Sequence, residues 1–375
     1  MIRVLHIGKF YPPARGGMER VLEALCQSVR GRVESSVLAF NTGRQTVRED
    51  VDGVAVTRVG TIGAAGSVPI APSFASELRR VRADVIVLHE PNPWALLSYA
   101  VARPRVPLAI WFHSEVVRPR LQYALFYHPL ARAVYRRARR IIVSSPDLGR
   151  HAAALAPYQD RVTVVPFGID ASQYALTPDV SARAGELRAQ SGSAPRILYA
   201  GRMVPYKGVD VLLHALVGST AVAVLVGDGP LRDGWMRLAR DLGLEGRVTF
   251  AGEVPGSELT ALYHACDVFV LPSVTRAEAF GYVQLEAMAC GKPVVSTRLP
   301  SGVPWVNRHG ETGLTVPPGD IGALRSAIGR LLTDRSLRTR MGAAACVRVR
   351  SEFSIERLGN TTAALYSELA TGGHV

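Results

Sequence analysis

Residues 268–296 read Val268-Phe-Val-Leu271-Pro-Ser-Val-Thr-Arg-Ala-Glu278-Ala-Phe-Gly281-Tyr-Val-Gln-Leu-Glu286-Ala-Met-Ala-Cys-Gly291-Lys-Pro-Val-Val-Ser296. An apolar run of four residues is followed by a loop, then by a helical pattern over 282–289 and a second apolar run at 294–296. Short apolar runs on both sides of a helix are typical of parallel strands that are buried on both faces of a sheet. The stretch therefore predicts a strand–helix–strand unit.

The same alternation runs through the whole sequence. Helical segments, for example over 18–28, 231–242 and 257–265, lie between thirteen short runs that predict strands. These runs are 3–7, 36–40, 54–59, 85–88, 108–112, 140–143 and 162–165 in the first half, and 196–199, 222–226, 248–250, 268–271, 294–296 and 314–316 in the second. Strand–helix alternation predicts an α/β fold with doubly wound sheets.

The length of 375 residues suggests two domains. A polar stretch over 170–195 separates two halves that each start with their own apolar strand, so we expect one Rossmann-like domain over 1–173 and a second over 174–354. Ligands of such sheets bind at the carboxyl ends of the strands. Two facing halves would therefore form a cleft between them.

The composition is that of an ordinary globular protein, with 48% hydrophobic and 20% charged residues. Its four cysteines (Cys26, Cys266, Cys290 and Cys346) form no CxxC pair, which argues against a zinc ribbon or a disulfide scaffold and suits a reducing compartment. No apolar run reaches the roughly 18 residues of a membrane span. Because the chain starts directly in a strand-like run, we expect a cytoplasmic protein without a signal peptide.

The net charge of +13 is unevenly distributed. Residues 1–173 hold 23 basic and 13 acidic residues, a net +10, whereas the rest holds 21 and 18, a net +3. Seven arginines and no acidic residue lie within 118–140, with aromatic and aliphatic residues between them. This pattern suits an anionic membrane surface, but an Arg-rich composition or an ordinary helix with a solvated face also explains it. A nucleic-acid partner is not expected, because no nucleic-acid-binding motif accompanies the charge.

Two motifs of the second half suit a nucleotide diphosphate. Arg202 and Lys207 follow its first strand, where cations can neutralise phosphates, although a basic surface loop would look the same. Gly281 is expected to open a helix whose amides can bind an anion. Glu286, roughly 7 Å further along the helix axis, could then reach the ribose hydroxyls of the nucleotide. Glu278, which precedes the helix, could reach the sugar on the other side of the diphosphate. The bare spacing of these two glutamates, E-x7-E, also arises by chance.

The first half carries weaker signals. Gly16-Gly17 follows the first strand and would let an anion approach the backbone, but the dinucleotide fingerprint G-x-G-x-x-G is absent. His113 follows the strand at 108–112, and His89-Glu90-Pro-Asn92 ends another strand, so both could line one cleft. A lone histidine is more often structural. Asp50-Val-Asp52 lies in a polar turn before a strand, which we interpret as a hairpin surface and not as a metal site.

In this order and spacing, the motifs resemble those of the retaining GT-B glycosyltransferases of glycosyltransferase family 4. The resemblance rests on Gly16-Gly17, His113, Pro166-Phe-Gly-Ile-Asp170, Gly201-Arg202 with Lys207-Gly208, Val226-Gly-Asp-Gly-Pro230, the E-x7-E segment and Gly310-Glu-Thr-Gly313-Leu-Thr-Val-Pro-Pro318. It implies two Rossmann-like domains facing across a cleft. It also implies that the C-terminal segment 355–375 forms a helix that crosses back to the first domain.

The resemblance implies roles for individual residues. Arg202 and Lys207 would neutralise the donor diphosphate without a metal or another cofactor, Glu278 and Glu286 would hold the sugar and the ribose, and His113 would contact the sugar near its reacting carbon. The implied catalytic residues are His113, Glu278, Arg202 and Lys207. The implied donor-binding residues are Gly16, Gly17, Arg202, Lys207, Gly227, Val254, Phe280, Gly281, Tyr282, Val283 and Glu286.

Two segments bear on the choice of donor. Glu278-Ala-Phe-Gly281 and the stretch 301–310, with Trp305-Val-Asn307, resemble bacterial polysaccharide mannosyl- and rhamnosyltransferases. A GDP-mannose-like donor and a saccharide or lipid-linked acceptor at the inner face of the cell membrane are therefore favoured. A UDP-hexose transferase acting on a lipid or small molecule, a sugar-nucleotide epimerase and a non-catalytic membrane-associated binding protein are the alternatives.

Overall fold

The structure is a computed structural model that describes residues 1–14, 16–115, 125 and 127–372. The chain divides into two compact units, one made of Met1–Gly168 together with Ile355–Val375, the other of Ile169–Ser354. Each unit is built around its own mainly parallel sheet. The described residues thus form two α/β bodies of the doubly wound type that the sequence predicts.

The regular elements are numbered in chain order. The strands are β1 (Ile2–Ile7), β2 (Val33–Phe40), β3 (Val47–Val51), β4 (Val54–Val59), β5 (Gly63–Ala65), β6 (Val68–Ile70), β7 (Val85–Glu90), β8 (Leu108–Phe112), β9 (Ala138–Val143), β10 (Val162–Val164), β11 (Arg196–Ala200), β12 (Val222–Val226), β13 (Val248–Gly252), β14 (Val268–Leu271), β15 (Val294–Thr297) and β16 (Gly313–Val316). The helices are α1 (Gly17–Ser28), α2 (Phe74–Arg80), α3 (Pro93–Ala102), α4 (His128–Tyr135), α5 (Pro146–His151), α6 (Pro178–Ala189), α7 (Val209–Leu216), α8 (Arg232–Asp241), α9 (Gly256–Ala265), α10 (Val283–Ala289), α11 (Val303–Val306), α12 (Ile321–Thr333), α13 (Arg335–Glu352) and α14 (Ile355–Thr371).

The first unit contains an eight-stranded sheet with the order β10-β9-β8-β7-β1-β2-β4-β3. Only β3 is antiparallel to its neighbour, β4, within this sheet. Asp52 and Gly53 turn the chain between them, both with positive φ as a type I′ hairpin turn requires. The expected hairpin at this place is confirmed, but β3 itself was not predicted because its side chains are mostly charged and exposed.

The second unit contains a six-stranded, all-parallel sheet with the order β13-β12-β11-β14-β15-β16. All six strands predicted here are present. The strands β11, β14, β15 and β16 are buried throughout, whereas the edge strand β13 is only half-buried. The polar stretch 170–195 also contains α6, which the sequence analysis missed. The Arg183 guanidinium holds this helix on α9 through hydrogen bonds of 2.8 and 2.9 Å to the Glu258 carboxylate.

The C-terminal helix α14 belongs to the first unit. It packs against α1, β1 and β7. Gly359 permits this approach, because a Cβ at this position would lie 2.1 Å from the backbone oxygen of Ser28. Near the end of the helix, the Arg140 guanidinium lies 2.5 Å from the Glu368 carboxylate, and Arg139 donates to the Leu369 carbonyl. Basic residues of β9 therefore help to hold α14 in place.

The strand order reverses once in each sheet. In the first unit the reversal lies between β1 and β7, and in the second between β11 and β14. Loops that leave neighbouring strands in opposite directions open a crevice there, which is where ligands of such sheets bind. All four cysteines are free thiols. Among the helices in the part of the chain that the structure describes, none combines the length and apolar character needed to span a bilayer.

The Tyr366 hydroxyl on α14 provides a test of the packing in the first unit. It is buried and has no hydrogen-bond partner among the described residues. A buried hydroxyl without a partner costs roughly 1–3 kcal/mol. We therefore expect Tyr366→Phe to leave the free energy of unfolding unchanged or to raise it by about 1 kcal/mol, as measured by urea denaturation. A clear loss of stability would show that the hydroxyl is hydrogen-bonded in solution.

Candidate active site

Lys207 and Glu278 form a buried ion pair beside the reversal of the second sheet. Lys207 ends a 3₁₀ turn in the loop after β11, and Glu278 lies in the loop after the neighbouring strand β14. Lys207 Nζ is 2.6 Å from Glu278 Oε2, and the two residues are only 7% and 8% exposed. Ser273 Oγ donates to the same carboxylate oxygen over 2.9 Å. Two predicted site residues, 71 positions apart, are thus in direct contact.

The pair fixes the charge of Lys207. Burial lowers the pKa of the ammonium group, but the charge of Glu278 and its hydrogen bond outweigh that effect, and the pKa of Lys207 lies above its ordinary value. Lys207 therefore stays cationic although it is buried. A cation held in this way at the carboxyl edge of a parallel sheet can attract a diphosphate.

Glycines allow the loops at this edge to pack against one another. A Cβ on Gly227, whose φ is +118°, would lie 2.2 Å from the Gly201 carbonyl oxygen. A Cβ on Gly208 would lie 2.2 Å from the Pro272 carbonyl oxygen. The loops after β12, β11 and β14 are therefore in backbone contact, and only glycine fits at these two points. Arg202, in contrast to Lys207, is exposed.

The other predicted donor-binding residues of this unit lie around the same edge. Val254 follows β13 and is half-buried. The helix α10 begins at Val283 with Tyr282 as its N-cap, so Gly281 precedes the helix and does not open it. The Phe280 side chain packs against Trp305 and Phe353. Because its side chain is engaged in this packing, Phe280 can contact a ligand through its backbone.

The two glutamates of the E-x7-E segment have different surroundings. Glu278 contacts Lys207, whereas Glu286 is fully buried on α10 and accepts a 2.8 Å hydrogen bond from the hydroxyl of Tyr263. Tyr263 belongs to α9, a different helix of the same unit. The Tyr263 contact was not predicted, because the spacing of the two glutamates says nothing about a tyrosine from another helix.

In the first unit, Gly16 and Gly17 begin α1. Gly16 is the N-cap in an extended conformation, and a Cβ there would lie 2.1 Å from Glu19 Oε2. Gly17 has open space around its Cα. Burial raises the pKa of Glu19 and lowers that of Lys9, which follows β1, while each charge partly offsets the shift of the other. A buried carboxylate and a half-buried lysine thus flank the predicted glycine loop.

His113 directly follows β8, as predicted, and is buried. Its backbone N donates to the Glu90 carbonyl over 3.0 Å, and its Nε2 lies 2.8 Å from Nδ1 of His89. Burial lowers the pKa of His113 to about 3. Burial also raises the pKa of Glu90 to about 8, although hydrogen bonds from Tyr127 and from the Asn92 backbone oppose the shift. The carboxyl edge of this sheet is therefore lined by buried groups that are largely uncharged at neutral pH.

Two family models match the chain. One, described as "Glycosyltransferase Family 4", matches residues 15–173, and the other, "Glycosyl transferases group 1", matches residues 186–347. Together they cover most of both units. The chain belongs to glycosyltransferase family 4.

Curated members of the family match almost the whole chain. The D-rhamnosyltransferase WbpZ of Pseudomonas aeruginosa is 32% identical over 94% of this chain and 92% of its own length. The O-antigen chain mannosyltransferase C of Escherichia coli is 28% identical over 98% and 99%. A GDP-mannose-dependent α-(1-6)-phosphatidylinositol monomannoside mannosyltransferase of Mycolicibacterium smegmatis is 33% identical over 89% and 90%.

Solved structures share the fold of this family 4 chain. Anabaena HepE in complex with UDP and glucose has a TM-score of 0.79 at 24% identity, covering 98% of this chain and 100% of HepE. Sucrose-phosphate synthase from Thermosynechococcus elongatus has a TM-score of 0.80 at 22% identity, covering 100% of both chains. These likenesses confirm the predicted GT-B fold.

The Lys207–Glu278 pair can be tested by a double-mutant cycle on the free energy of unfolding. Removing one member of a buried ion pair leaves the other charge without compensation, at a cost of about 3–5 kcal/mol. We expect Lys207→Met and Glu278→Gln each to destabilise the protein by about this amount, and the double variant to cost less than the sum. Arg202→Met, which changes an exposed cation of the same loop, is the control. Strictly additive losses would contradict the pairing.

Proposed function

We propose that this chain is a retaining, metal-independent glycosyltransferase that transfers mannose or a related hexose from a GDP-sugar to a saccharide or lipid-linked acceptor. The observation that carries the proposal is the buried Lys207–Glu278 pair beside the strand reversal of the second sheet. The choice of donor is supported by the relatives, which include a D-rhamnosyltransferase and two mannosyltransferases, one of them GDP-mannose-dependent. Bacterial polysaccharide or glycoconjugate synthesis is the setting that these relatives favour.

In this proposal, the diphosphate of the donor replaces Glu278 as the ionic partner of Lys207. The diphosphate attracts the ammonium group, and the carboxylate of Glu278 then accepts hydrogen bonds from the hydroxyls of the donor sugar. Lys207 and Ser273 both donate to Oε2, so we assign the other oxygen, Oε1, to the sugar. As the glycosidic bond breaks, Lys207 and the exposed Arg202 stabilise the charge that develops on the diphosphate, a task that a metal ion performs in other enzymes.

The remaining donor contacts are assigned by the family resemblance. The backbone of Gly281, Tyr282 and Val283 would bind the diphosphate, and Glu286 the ribose, beside the hydroxyl of Tyr263. Gly227 and Val254 would border the base, Gly16 and Gly17 would admit the diphosphate and acceptor, and His113 would contact the sugar. Because no carboxylate is assigned as nucleophile, we favour front-face transfer, in which an oxygen of the leaving diphosphate takes the proton of the acceptor hydroxyl.

The donor can be identified with a panel of GDP-, UDP- and dTDP-sugars in thermal-shift and turnover assays. We expect the largest rise in Tm with GDP-mannose or a related GDP-sugar. Lys207→Met should lower turnover by about a hundredfold or more, because one preorganised charge on the leaving group is lost. Lys292→Met is the matched control, since it removes another lysine of the same unit, one that donates to the His264 carbonyl.

Three outcomes would contradict parts of the proposal. A largest shift with UDP-glucose would favour the UDP-hexose transferase. Formation of an epimer from the donor alone would favour the epimerase. Wild-type turnover in Lys207→Met would remove the proposed role of the buried pair.

We further propose that the first unit docks on an anionic membrane surface. Arg132 on α4 and Arg136 directly after it are exposed, and so are Leu97 and Val101 on α3, which packs against α4. Exposed arginines on one helix and exposed aliphatic side chains on the helix packed against it suit an anionic lipid headgroup layer. Of the other arginines in the basic segment, Arg118 and Arg120 lie outside the described residues.

The remaining arginines of the segment are engaged within the fold. Arg137 donates to the Pro104 carbonyl and lies over the Tyr99 ring, whereas Arg139 and Arg140 hold α14. Replacing Arg139 or Arg140 would therefore disturb the docking of α14 as well as any membrane contact. Arg132 and Arg136 are the better positions for a test.

Co-sedimentation with vesicles tests this docking. Each arginine near an anionic surface contributes about 1 kcal/mol, so Arg132→Glu with Arg136→Glu should weaken binding to phosphatidylglycerol-containing vesicles by more than about tenfold. The matched control is Arg237→Glu with Arg240→Glu, an equal charge change on exposed residues of α8. An equal loss in both double variants, or none in either, would favour composition alone as the origin of the basic charge.

A further inference from the structure

Three histidines of the first unit form a buried, hydrogen-bonded row. His6 lies on β1, His89 on β7 and His113 directly after β8, and these three strands are neighbours in the sheet. His6 Nδ1 is 3.1 Å from His89 Nε2, and His89 Nδ1 is 2.8 Å from His113 Nε2. We call these three residues the histidine row. Its far members, His6 and His89, have no role in the function proposed above.

Strand register places the row on one face of the sheet. His6 pairs with Val87, and His89 pairs with Trp111. Because side chains alternate along a strand, His89 shares a face with Val87 and therefore with His6. The Trp111 ring stacks on His89 with centroids 5.8 Å apart and an angle of 6°. The sheet thus holds the rings in place.

The two hydrogen bonds couple the tautomers of all three rings. A neutral imidazole has one N–H donor and one bare acceptor nitrogen. Both links join Nδ1 of one ring to Nε2 of the next, so the three rings carry either three Nδ1–H groups or three Nε2–H groups. His89 uses both of its nitrogens within the row, so it transmits the choice from His6 to His113.

The surroundings of His6, at the end of the row away from His113, favour one of these two arrangements. Nε2 of His6 is buried and has no hydrogen-bond partner among the described residues. The Tyr366 ring covers His6 edge-on, with centroids 5.8 Å apart. A buried N–H without an acceptor is rarer in proteins than a buried acceptor without a donor. A bare Nε2 on His6 requires Nδ1–H on all three rings.

Burial keeps the row uncharged. It lowers the pKa of His6 and His113 to about 3 and that of His89 well below its ordinary value. The titratable neighbours are Glu90 on β7 and Tyr366 on α14, whose pKa values burial raises. A proton added at Nε2 of His89 or of His113 would also place two N–H groups against each other in one of the links. The row is therefore expected to stay neutral at physiological pH.

We propose that His89 and His6 are positioning residues that hold His113 as a neutral Nδ1–H tautomer. The nitrogen that His113 offers to a ligand is then a hydrogen-bond donor, suited to the oxygen of a sugar hydroxyl and unable to act as a base. This inference rests on the proposed function, in which His113 contacts the donor sugar. Since Nε2 of His113 is occupied by His89, the orientation of the ring is fixed along with its tautomer.

Nitrogen-15 NMR of the histidine side chains tests the tautomer without any substrate. In the wild-type protein we expect three imidazoles with a protonated Nδ1 and a bare Nε2, and with no titration between pH 5 and 8. His89→Met replaces the donor beside His113 Nε2 by a weak acceptor, so His113 should change to Nε2–H. His89→Gln keeps an amide donor and should leave His113 as Nδ1–H. Tyr366 lies next to the row but outside its hydrogen bonds, so Tyr366→Phe should leave the tautomers of all three histidines unchanged.

An Nε2–H signal for His113 in the wild-type protein would overturn the proposal, and this measurement needs no variant. So would an unchanged His113 tautomer in His89→Met. With the preferred donor, we expect His89→Met to lower kcat/KM at least about tenfold while nucleotide affinity is retained, and His89→Gln to recover most of the loss. Wild-type kcat/KM in His89→Met would exclude the positioning role. Absence of turnover in the wild-type protein with every donor would instead contradict the proposed function, while the NMR result still decides the tautomer.

Discussion

The reversal of strand order in each sheet is the constraint on which the arrangement of functional groups depends. The reversal makes β11 and β14 parallel neighbours, so the loops that follow them leave the sheet at the same edge. This brings Lys207 to Glu278 across 71 residues of sequence. The same constraint acts between β1 and β7 and brings the ring of His6 to that of His89. Both pairs are consequences of topology and not of local sequence.

The carboxyl edges of the two sheets differ in their buried polar groups. At the edge of the second sheet, a cation and an anion are buried together, and the charge of Glu278 raises the pKa of Lys207. At the edge of the first sheet, burial favours the neutral forms of Glu90 and of the histidine row. A diphosphate needs a fixed charge, whereas a sugar hydroxyl needs a neutral donor or acceptor. The pair of the second unit is therefore suited to a diphosphate, and the neutral groups of the first unit are suited to hydroxyl partners.

Local sequence predicted most of the fold. All thirteen predicted strands are present, because apolar β-branched runs between helices have few alternatives to a buried parallel sheet. The missed strands are β3, which is mostly charged, and β5 and β6, which have only three residues each. The missed helix α6 is polar and is held by Glu258 of another helix. The positions of Lys207, Glu278 and His113 at strand ends could also be predicted. The hydrogen bonds of Lys207 to Glu278 and of His113 to His89 could not, since strand order and register bring these side chains together.

The buried ion pair suggests why this site suits an exchange of partners. An ion pair in a protein interior adds little net stability, because desolvation offsets most of the attraction. A ligand that supplies its own negative charge can therefore take Lys207 from Glu278 at small cost, provided that the carboxylate finds new hydrogen-bond donors. A nucleotide-sugar has both groups in one molecule: a diphosphate for the lysine and sugar hydroxyls for the glutamate. A free nucleoside diphosphate supplies only the diphosphate, so in the proposed mechanism the pair would favour the intact donor over the product that remains after transfer.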